Sequence, residues 1–302
     1  MQRTDRPLVT YVLPCHNHAD FVEESIRSLI EQDYDPIELI VIDDGSTDGS
    51  IRPIRRMAQR CADRFVRFEL VVQDNRGFVP SLNGGLDWAR GSLFALHASD
   101  DVLYPAKTSR MVACLLAQDA NVVAAYGGMT LIDADGRDLG RWQGRPGLYG
   151  FDDVILKKCP WATPTQMVRT DALRQAGGFD ERFAYEDWAM LLALTARGGK
   201  IVITDDLVAS SRRHGTNLSK RIASNHSYRL QVLDRYHDHP AYPLAKARVL
   251  AGHATEVART DRPRAVAALK EAFETYRPII WDHKFRRGCR SVLKSGLRAA
   301  LG

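Results

Sequence analysis

Short apolar runs alternate with helix-like segments through the first hundred residues. The apolar runs are rich in β-branched residues and occupy positions 8–13, 37–42, 66–73 and 93–97. Between them, apolar residues recur at three- and four-residue intervals, as in 21–30, which is the period of a helix buried along one face. This alternation of strand and helix predicts a parallel sheet covered by helices.

The second half of the chain has a less regular pattern. The predicted elements are strands at 122–132, 164–169, 200–204 and 207–212, a Gly- and Arg-rich loop at 137–151 and a helix at about 186–197. The sequence Asp133-Ala134-Asp135-Gly136 is typical of a hairpin turn. From about residue 218 the periodicity is helical, so a helical C-terminal segment is expected.

Pairs of carboxylates follow two of the predicted strands. Ligands of parallel sheets bind beyond the carboxyl ends of the strands, where Asp43-Asp44 and Asp100-Asp101 are expected. Adjacent carboxylates such as Asp100 and Asp101 suit a hard divalent cation that also binds phosphate oxygens. The alternative is a helix N-cap, since Pro105 and a helix follow. Asp43 and Asp44 are likewise interpreted either as a turn and cap or as hydrogen-bond acceptors for a nucleotide.

Two further clusters have both a chemical and a structural interpretation. Glu186 and Asp187 open a helix, where carboxylates complement the helix dipole, but either also suits a general base that deprotonates an attacking hydroxyl. His214 follows two arginines, a combination that suits a diphosphate or a metal ion, or a solvated basic loop.

The order and spacing of these motifs resemble family 2 glycosyltransferases of the GT-A fold. The resemblance covers about residues 8–220 and rests on Val12-Leu13-Pro14-Cys15-His16-Asn17, Ile42-Asp43-Asp44-Gly45-Ser46-Thr47-Asp48, Asn75-Arg76-Gly77, Leu82-Asn83-Gly84-Gly85, Ser99-Asp100-Asp101, Gly177-Gly178-Phe179-Asp180, Tyr185-Glu186-Asp187-Trp188 and His214. It implies an α/β fold, with a Rossmann-like mixed sheet and helices on both faces, plus a helical C-terminal extension.

The resemblance also implies a role for each matching position. Asp187 matches the catalytic base, Glu186 helps to shape the acceptor site, and Trp188 either lines that site or packs in the core. Asp101 and His214 match metal ligands, so Mn²⁺ or Mg²⁺ is the expected cofactor. The positions that match nucleotide-sugar contacts are Pro14, His16, Asn17, Asp43, Asp44, Asn83 and Asp100.

The sequence departs from the family pattern at three informative positions. His16 stands where an aromatic residue is common, which weakens the case for stacking beneath the base. Ser99 replaces the usual first acid of the metal motif, and Leu82 replaces a frequent Arg that contacts phosphate. These changes predict fewer carboxylates on the cation and one phosphate contact less.

The predicted reaction is a single displacement that inverts the anomeric centre. Asp187 takes the acceptor proton, and the metal stabilises the departing nucleoside diphosphate of a UDP- or dTDP-sugar. The acceptor is expected to be a glycan or lipid-linked glycan in bacterial surface polysaccharide synthesis. One alternative is a nucleotidyltransferase, although segment 14–20 lacks its Gly-rich phosphate loop. The other is a non-catalytic nucleotide-sugar or glycan-binding protein.

The family match divides the chain into two predicted domains. A catalytic domain covers 1–220, with a nucleotide-binding half at about 1–105 and an acceptor-binding half at about 106–220. The remaining residues, 221–302, form the helical extension.

Charge and composition refine the expected partners and location. Of the net charge of +5, residues 284–302 contribute +6 and the remaining chain −1, which argues against a nucleic-acid partner. The amphipathic helix predicted at 284–301 fits either an anionic membrane surface or a docked helix. Five cysteines without Cys-x-x-Cys spacing indicate free thiols. With no apolar leader and a mean hydropathy of −0.28, the expected location is cytoplasmic, in part on the inner face of the membrane.

Overall fold

The computed structural model describes residues 6–183, 187–215 and 226–301, with side chains through residue 295. The chain divides into two compact units. The first contains residues 6–154 and 159–215, and the second contains 155–158 and 226–301. The predicted boundary at residue 220 lies outside the described residues and stays a prediction.

The first unit is built on one mixed β-sheet. Its described strands run in the spatial order β3-β2-β1-β4-β9-β6-β10-β5, with β7 beside β6 and β8 beside β10. The strands are β1 Val9–Cys15, β2 Ile37–Asp44, β3 Arg67–Gln73, β4 Leu93–Leu96, β5 Val102–Leu103, β6 Val122–Ile132, β7 Asp138–Trp142, β8 Gly147–Tyr149, β9 Met167–Arg169 and β10 Lys200–Arg212.

The first four strands are parallel, as the sequence predicts. Every residue of β1 and β2 is buried, which explains why both strands appear as continuous apolar runs rather than as alternating patterns. Their register pairs Cys15 with Asp43, and β3 pairs Gln73 with Asp44. The parallel pairing therefore brings the predicted carboxylates to the same edge of the sheet as the end of β1.

Seven of the α-helices that the structure describes accompany this sheet. They are α1 Val22–Ile30, α2 Ile51–Arg64, α3 Phe78–Trp88, α4 Lys107–Leu116, α5 Phe151–Ile155, α6 Thr170–Gln175 and α7 Asp187–Ala196. Phe21 and the apolar positions of α1 have helical spacing, and Val22, Ile26 and Leu29 are buried in the core. The predicted helix at 21–30 is thus confirmed to within one residue.

The second half of the sheet differs from the predicted pattern in three ways. The expected loop at 137–151 contains β7 and β8, which pair antiparallel with β6 and β10. The two strands predicted at 200–204 and 207–212 are one strand with register shifts. The short strand β5 pairs antiparallel with β10 and was not predicted. Exposed edge strands carry polar residues, as β7 does with Asp138 and Arg141, and therefore look like loops in the sequence.

The second unit is helical, as the periodicity predicts. Its described helices are α8 His226–Asp234, α9 Tyr242–Val257, α10 Arg262–Thr275 and α11 His283–Leu301. Phe285, Cys289 and Val292 of α11 belong to an apolar cluster with residues of α9 and α10. Gly288 permits this packing, because an added Cβ would lie 2.9 Å from Leu269 and 3.1 Å from the Ala251 carbonyl oxygen.

The helix α11 covers the segment predicted to be an amphipathic helix. Phe285 and Val292 pack in the apolar cluster, whereas Leu293 is 64% exposed. None of the helices that the structure describes combines the length and the apolar character that a membrane span requires.

Candidate nucleotide and metal site

The loops after β1 and β2 are tied together by Asn17. Its backbone is left-handed, with φ of 57°, a conformation that Asn tolerates better than most residues. Its side-chain Oδ1 accepts hydrogen bonds from the backbone N–H of Thr47 at 2.8 Å and of Asp48 at 3.3 Å. Its own N–H donates to Ser46 Oγ at 3.0 Å. Asn17 therefore shapes the loop that follows the predicted nucleotide motif.

Asp44 is buried and organises the turn after β3. Its carboxylate accepts the backbone N–H groups of Arg76 and Gly77, both at 2.8 Å, and the side-chain amide of Gln73 at 2.8 Å. Asp43 is also buried, and it accepts the N–H of Ser46 at 3.3 Å. Both acids thus hold the backbone of this edge in place, in addition to the nucleotide contacts predicted for them.

Pro14 and His16 occupy the end of β1. Pro14 is buried and pairs with Ile42 in the sheet, whereas His16 is exposed. The His16 ring contacts the Asp44 carbonyl oxygen through Nδ1 at 2.8 Å and has the amides of Asn17 and Asn75 within 3.3 Å. The exposed imidazole lies between the loops that follow β1, β2 and β3.

His18, Asp100 and His214 form a compact group of ligand-type side chains. One ligand atom from each lies within 4.8 Å of the others. His214 Nε2 is 2.9 Å from Asp100 Oδ2, and His18 Nδ1 is 2.7 Å from Ser99 Oγ. Phe21 packs beside the His214 ring at a centroid distance of 4.8 Å. The group joins the loop after β1, the segment after β4 and the segment after β10.

The donors of this group fit a divalent metal ion. Two imidazole nitrogens and one carboxylate oxygen match the ligand chemistry of Mn²⁺ better than that of Mg²⁺, which prefers oxygen ligands. Burial lowers the pKa of His18, and the neutral imidazole is the form that binds a metal. His18 was absent from the predicted site. The sequence signal that could have identified it as a ligand is its position four residues after Pro14, on the same edge of the sheet as Asp100.

Asp101, predicted as a metal ligand, points toward the backbone of β10. Its Oδ1 accepts the N–H of Arg212 at 2.8 Å, and the hydroxyl of Ser211 also hydrogen-bonds to it. Burial, followed by the neighbouring Asp100 charge, raises the pKa of this carboxyl. The structure therefore places Asp100, predicted for the nucleotide sugar, in the metal-type group and Asp101 beside it on the protein side.

Asp187 begins α7 and is half-buried. Its Oδ2 accepts a hydrogen bond from the indole Nε1 of Trp161 at 3.1 Å, and the Thr163 hydroxyl lies 3.5 Å away. The backbone N–H of Trp188 donates to its Oδ1. These donors fix the orientation of the carboxylate, as the second partner of a general base commonly does. Trp161 is a contact that the motif comparison did not include.

Of the three remaining predicted residues, the structure describes Asn83 and Trp188 but not Glu186. The side-chain amide of Asn83 forms two hydrogen bonds with the backbone of Phe179. Its Oδ1 accepts the Phe179 N–H at 2.9 Å, and its Nδ2 donates to the Phe179 carbonyl at 2.8 Å. Trp188 is 2% exposed and its indole N–H donates to the Val154 carbonyl at 3.0 Å, which supports the core alternative. Glu186 lies outside the described residues.

Sequence comparison gives independent information about the family. Residues 10–173 match the profile described as glycosyl transferase family 2. An uncharacterized glycosyltransferase of Rickettsia felis is 28% identical over 75% of this chain and 37% of its own length. One of Nostoc is 27% identical over 72% of the chain and 68% of its length. The putative teichuronic acid biosynthesis glycosyltransferase TuaG of Bacillus subtilis is 26% identical over 50% of the chain and 58% of its length. The chain spans about two-fifths of the length of its relatives from Rickettsia felis, Rickettsia conorii and Rickettsia typhi.

Solved structures share the fold at low sequence identity. The mannosyltransferase PcManGT of Pyrobaculum calidifontis, in complex with GDP-Man and Mn²⁺, superposes with a TM-score of 0.60 at 20% identity, over 97% of this chain and 88% of that one. Residues 1–349 of TarS from Staphylococcus aureus, in complex with UDP-GlcNAc, superpose with a TM-score of 0.58 at 16% identity, over 93% and 92%. The predicted GT-A fold is thereby confirmed, and the chain belongs to glycosyl transferase family 2.

Proposed function

We propose that this protein transfers a sugar, with inversion, from a nucleoside diphosphate sugar to a hydroxyl group of a glycan. The observation that carries the proposal is the group formed by His18, Asp100 and His214 beyond the strand ends. That position is where ligands of parallel α/β sheets bind, and the donor set fits the cation that a diphosphate requires. Mn²⁺ is the proposed cofactor, with Mg²⁺ as the weaker alternative.

Metal binding and proton transfer would be carried out by different residues of the site. His18, Asp100 and His214 would hold the metal ion, which when bound supplies positive charge to the diphosphate of the donor. Asp187 would accept the proton of the acceptor hydroxyl as that oxygen forms the new glycosidic bond and the bond to the nucleoside diphosphate breaks. Trp161 would keep the Asp187 carboxylate oriented toward the acceptor.

The loops tied by Asn17 and Asp44 would form the nucleotide end of the site. Asn17 fixes the 45–48 turn and Asp44 fixes the 75–77 turn, so the nucleoside would meet a preformed surface. His16 lies between these turns with its ring exposed. UDP- or dTDP-sugars are the proposed donors. The nucleotide sugars bound by PcManGT and TarS support this donor class and add GDP-sugars to those worth testing.

A glycan of a bacterial surface polysaccharide, free or lipid-linked, is the proposed acceptor. The resemblance to a relative named for teichuronic acid biosynthesis supports this assignment. Bacterial surface glycans are assembled at membranes, and the second unit exposes Trp281 by 75% and Leu293 by 64%, with Arg286 and Arg290 between them in the sequence. An aromatic side chain near basic residues is suited to the interface of an anionic bilayer. The proposed location is therefore the inner face of the cytoplasmic membrane.

The central experiment is a panel of UDP-, dTDP- and GDP-sugars with Mn²⁺ or Mg²⁺, scored for nucleoside diphosphate release. The proposal requires release from at least one donor and its loss in Asp187→Asn, with donor affinity retained. The matched control is Asp171→Asn, because Asp171 is an exposed acid in the first turn of α6. Release of pyrophosphate instead would favour a nucleotidyltransferase. Donor binding without any release would favour a non-catalytic binding protein.

The membrane assignment has its own test. Co-sedimentation of the full chain with vesicles of anionic lipid should be reduced by Trp281→Ser and by Arg290→Gln. Removal of 284–302 is a poorer test, because Phe285 and Val292 belong to the helical core. Equal sedimentation of the two variants and the parent protein would refute the membrane contact.

A further inference from the structure

The helical unit contains a cavity of about 340 Å³ that is lined by basic side chains. Its volume falls within the range of small-molecule pockets, which is about 300–1,000 Å³. Its lining also includes the apolar side chains of Leu156, Ala245 and Val249. The basic side chains that line it come from four separate stretches of the chain, and they are Lys157, Arg229, Arg248, Lys284 and Arg287.

Arg229 and Arg248 are paired with acids of the same unit. Arg229 forms an ion pair with Glu256 at 3.0 Å, and Arg248 contacts Asp282 through two nitrogens at 2.8 and 2.7 Å. The Asp282 carboxylate also accepts a hydrogen bond from the backbone N–H of Lys284, at 2.8 Å. Glu256 is the one acid among the described residues that line the cavity. The acids near the cavity therefore neutralise the two arginines and leave its positive charge in excess.

Lys284 and Arg287 supply that excess. In the described part of the chain, neither side chain forms an ion pair with a carboxylate. Lys284 is half-buried, and burial, with Arg248 beside it, lowers the pKa of its ammonium group. Like charges held close together repel one another, and Lys284 is in addition partly shielded from water. A ligand with negative charge would relieve this repulsion.

Lys157 lines the cavity from the 155–158 segment. Its φ is 52°, in the left-handed region in which helices commonly end, and it lies just after α5. Its exposed side chain adds a further positive charge beside the cavity.

We propose that this cavity, here called the basic pocket, binds the phosphate group of a phosphate or diphosphate ester. The bases would bind the phosphate oxygens, and the apolar side chains of Leu156, Ala245 and Val249 would contact the uncharged part of the ester. Lys284 and Arg287 are the principal anion ligands, since Arg229 and Arg248 already have carboxylate partners. The inference does not depend on the glycosyl transfer proposed above.

The probe is inorganic pyrophosphate, titrated by calorimetry into the full chain in the presence of EDTA, which prevents metal-dependent binding at the other site. Binding should weaken at least tenfold in Lys284→Gln and in Arg287→Gln. Lys294→Gln is the matched control, because Lys294 is an exposed base on the same helix and does not line the basic pocket. Its affinity should equal that of the parent protein.

A second arm distinguishes a lipid phosphate from a soluble one. Vesicles of phosphatidylcholine with and without phosphatidic acid are sedimented with the same four proteins. Loss of phosphatidic acid-dependent binding in both pocket variants, but not in Lys294→Gln, assigns the ester to a lipid. Loss of pyrophosphate binding alone assigns it to a soluble compound.

Three results would overturn the proposal. They are absence of binding in both arms, equal binding by the parent protein and both pocket variants, and equal loss in Lys294→Gln. Circular dichroism and thermal melting check the fold of each variant. If Lys284→Gln does not fold, Arg287→Gln decides the matter, because Arg287 is exposed and its replacement leaves the apolar cluster intact.

Discussion

The imidazole Nε2 of His214 lies 2.9 Å from Asp100 Oδ2, although 114 residues separate the two in the sequence. β10 delivers His214 and β4 leads to Asp100, so the contact depends on the order of strands in the sheet. His18 completes the group from the loop after β1. The proposed metal site thus gathers one residue from each of three distant segments.

His18→Ala and His214→Ala should each weaken Mn²⁺ affinity about tenfold or more, since each removes one of three ligands. Free Mn²⁺, measured by electron paramagnetic resonance during titration of the protein, reports this without any activity assay. His283→Ala is the control, because His283 is exposed and belongs to α11. Unchanged Mn²⁺ affinity in both test variants would remove the metal assignment.

Trp161→Phe should lower kcat about tenfold and leave the KM for the donor unchanged. The substitution keeps an aromatic ring and removes the N–H that orients Asp187 Oδ2 at 3.1 Å. Steady-state kinetics on the donor found by the panel measure both constants. Trp142→Phe, a substitution in β7, serves as the control. A larger change in KM than in kcat would show that Trp161 binds the donor instead.

Gly178→Ala should reduce the free energy of unfolding by about 1–2 kcal/mol more than Gly177→Ala does. Both glycines have positive φ, of 71° and 92°, so both substitutions carry a conformational cost. At Gly178 the new Cβ would also lie 2.9 Å from Asn83 Oδ1, whereas nothing lies within 4 Å at Gly177. Urea titrations of the two variants measure the difference. Equal losses would mean that the Asn83 contact with Phe179 is unimportant.

The buried side chain of Lys107 should make the free energy of unfolding depend on pH in the alkaline range. Burial lowers its pKa from the ordinary 10.5 to about 7, and its Nζ donates to Tyr11 Oη and to the Gln166 carbonyl oxygen, both at 3.1 Å. Between these two values the unfolded chain binds a proton that the folded chain has released. The free energy of unfolding therefore rises with pH in this window, by at most about 1.4 kcal/mol per pH unit.

Lys107→Met should flatten this rise between pH 7 and pH 10. Urea titrations at several pH values, followed by tryptophan fluorescence, give the slope for the variant and the parent protein. Lys200→Met is the control, because Lys200 is exposed at the start of β10 and should keep the parent slope. An unchanged slope in Lys107→Met would show that this lysine remains charged in the folded protein.

The sequence predicted the buried strands, including β6 at its observed bounds, and missed the exposed antiparallel strands. β1 and β2 are buried on both faces, so their residues form continuous apolar runs. β7 and β8 are mostly exposed at the edge, and their polar residues gave no strand signal. Burial by neighbouring strands, and not local propensity, decides whether such segments pair.

The candidate site shows the same division. By itself, the sequence determined the family, the alternating α/β pattern and the carboxylates that follow the strands, because these depend on local order and spacing. Only the tertiary structure decided that Asp100 faces His18 and His214 while Asp101 turns to the Arg212 N–H, and that Trp161 reaches Asp187. Neighbouring residues such as Asp100 and Asp101 look equivalent in the sequence. The pairing of distant strands gives each of them a different environment.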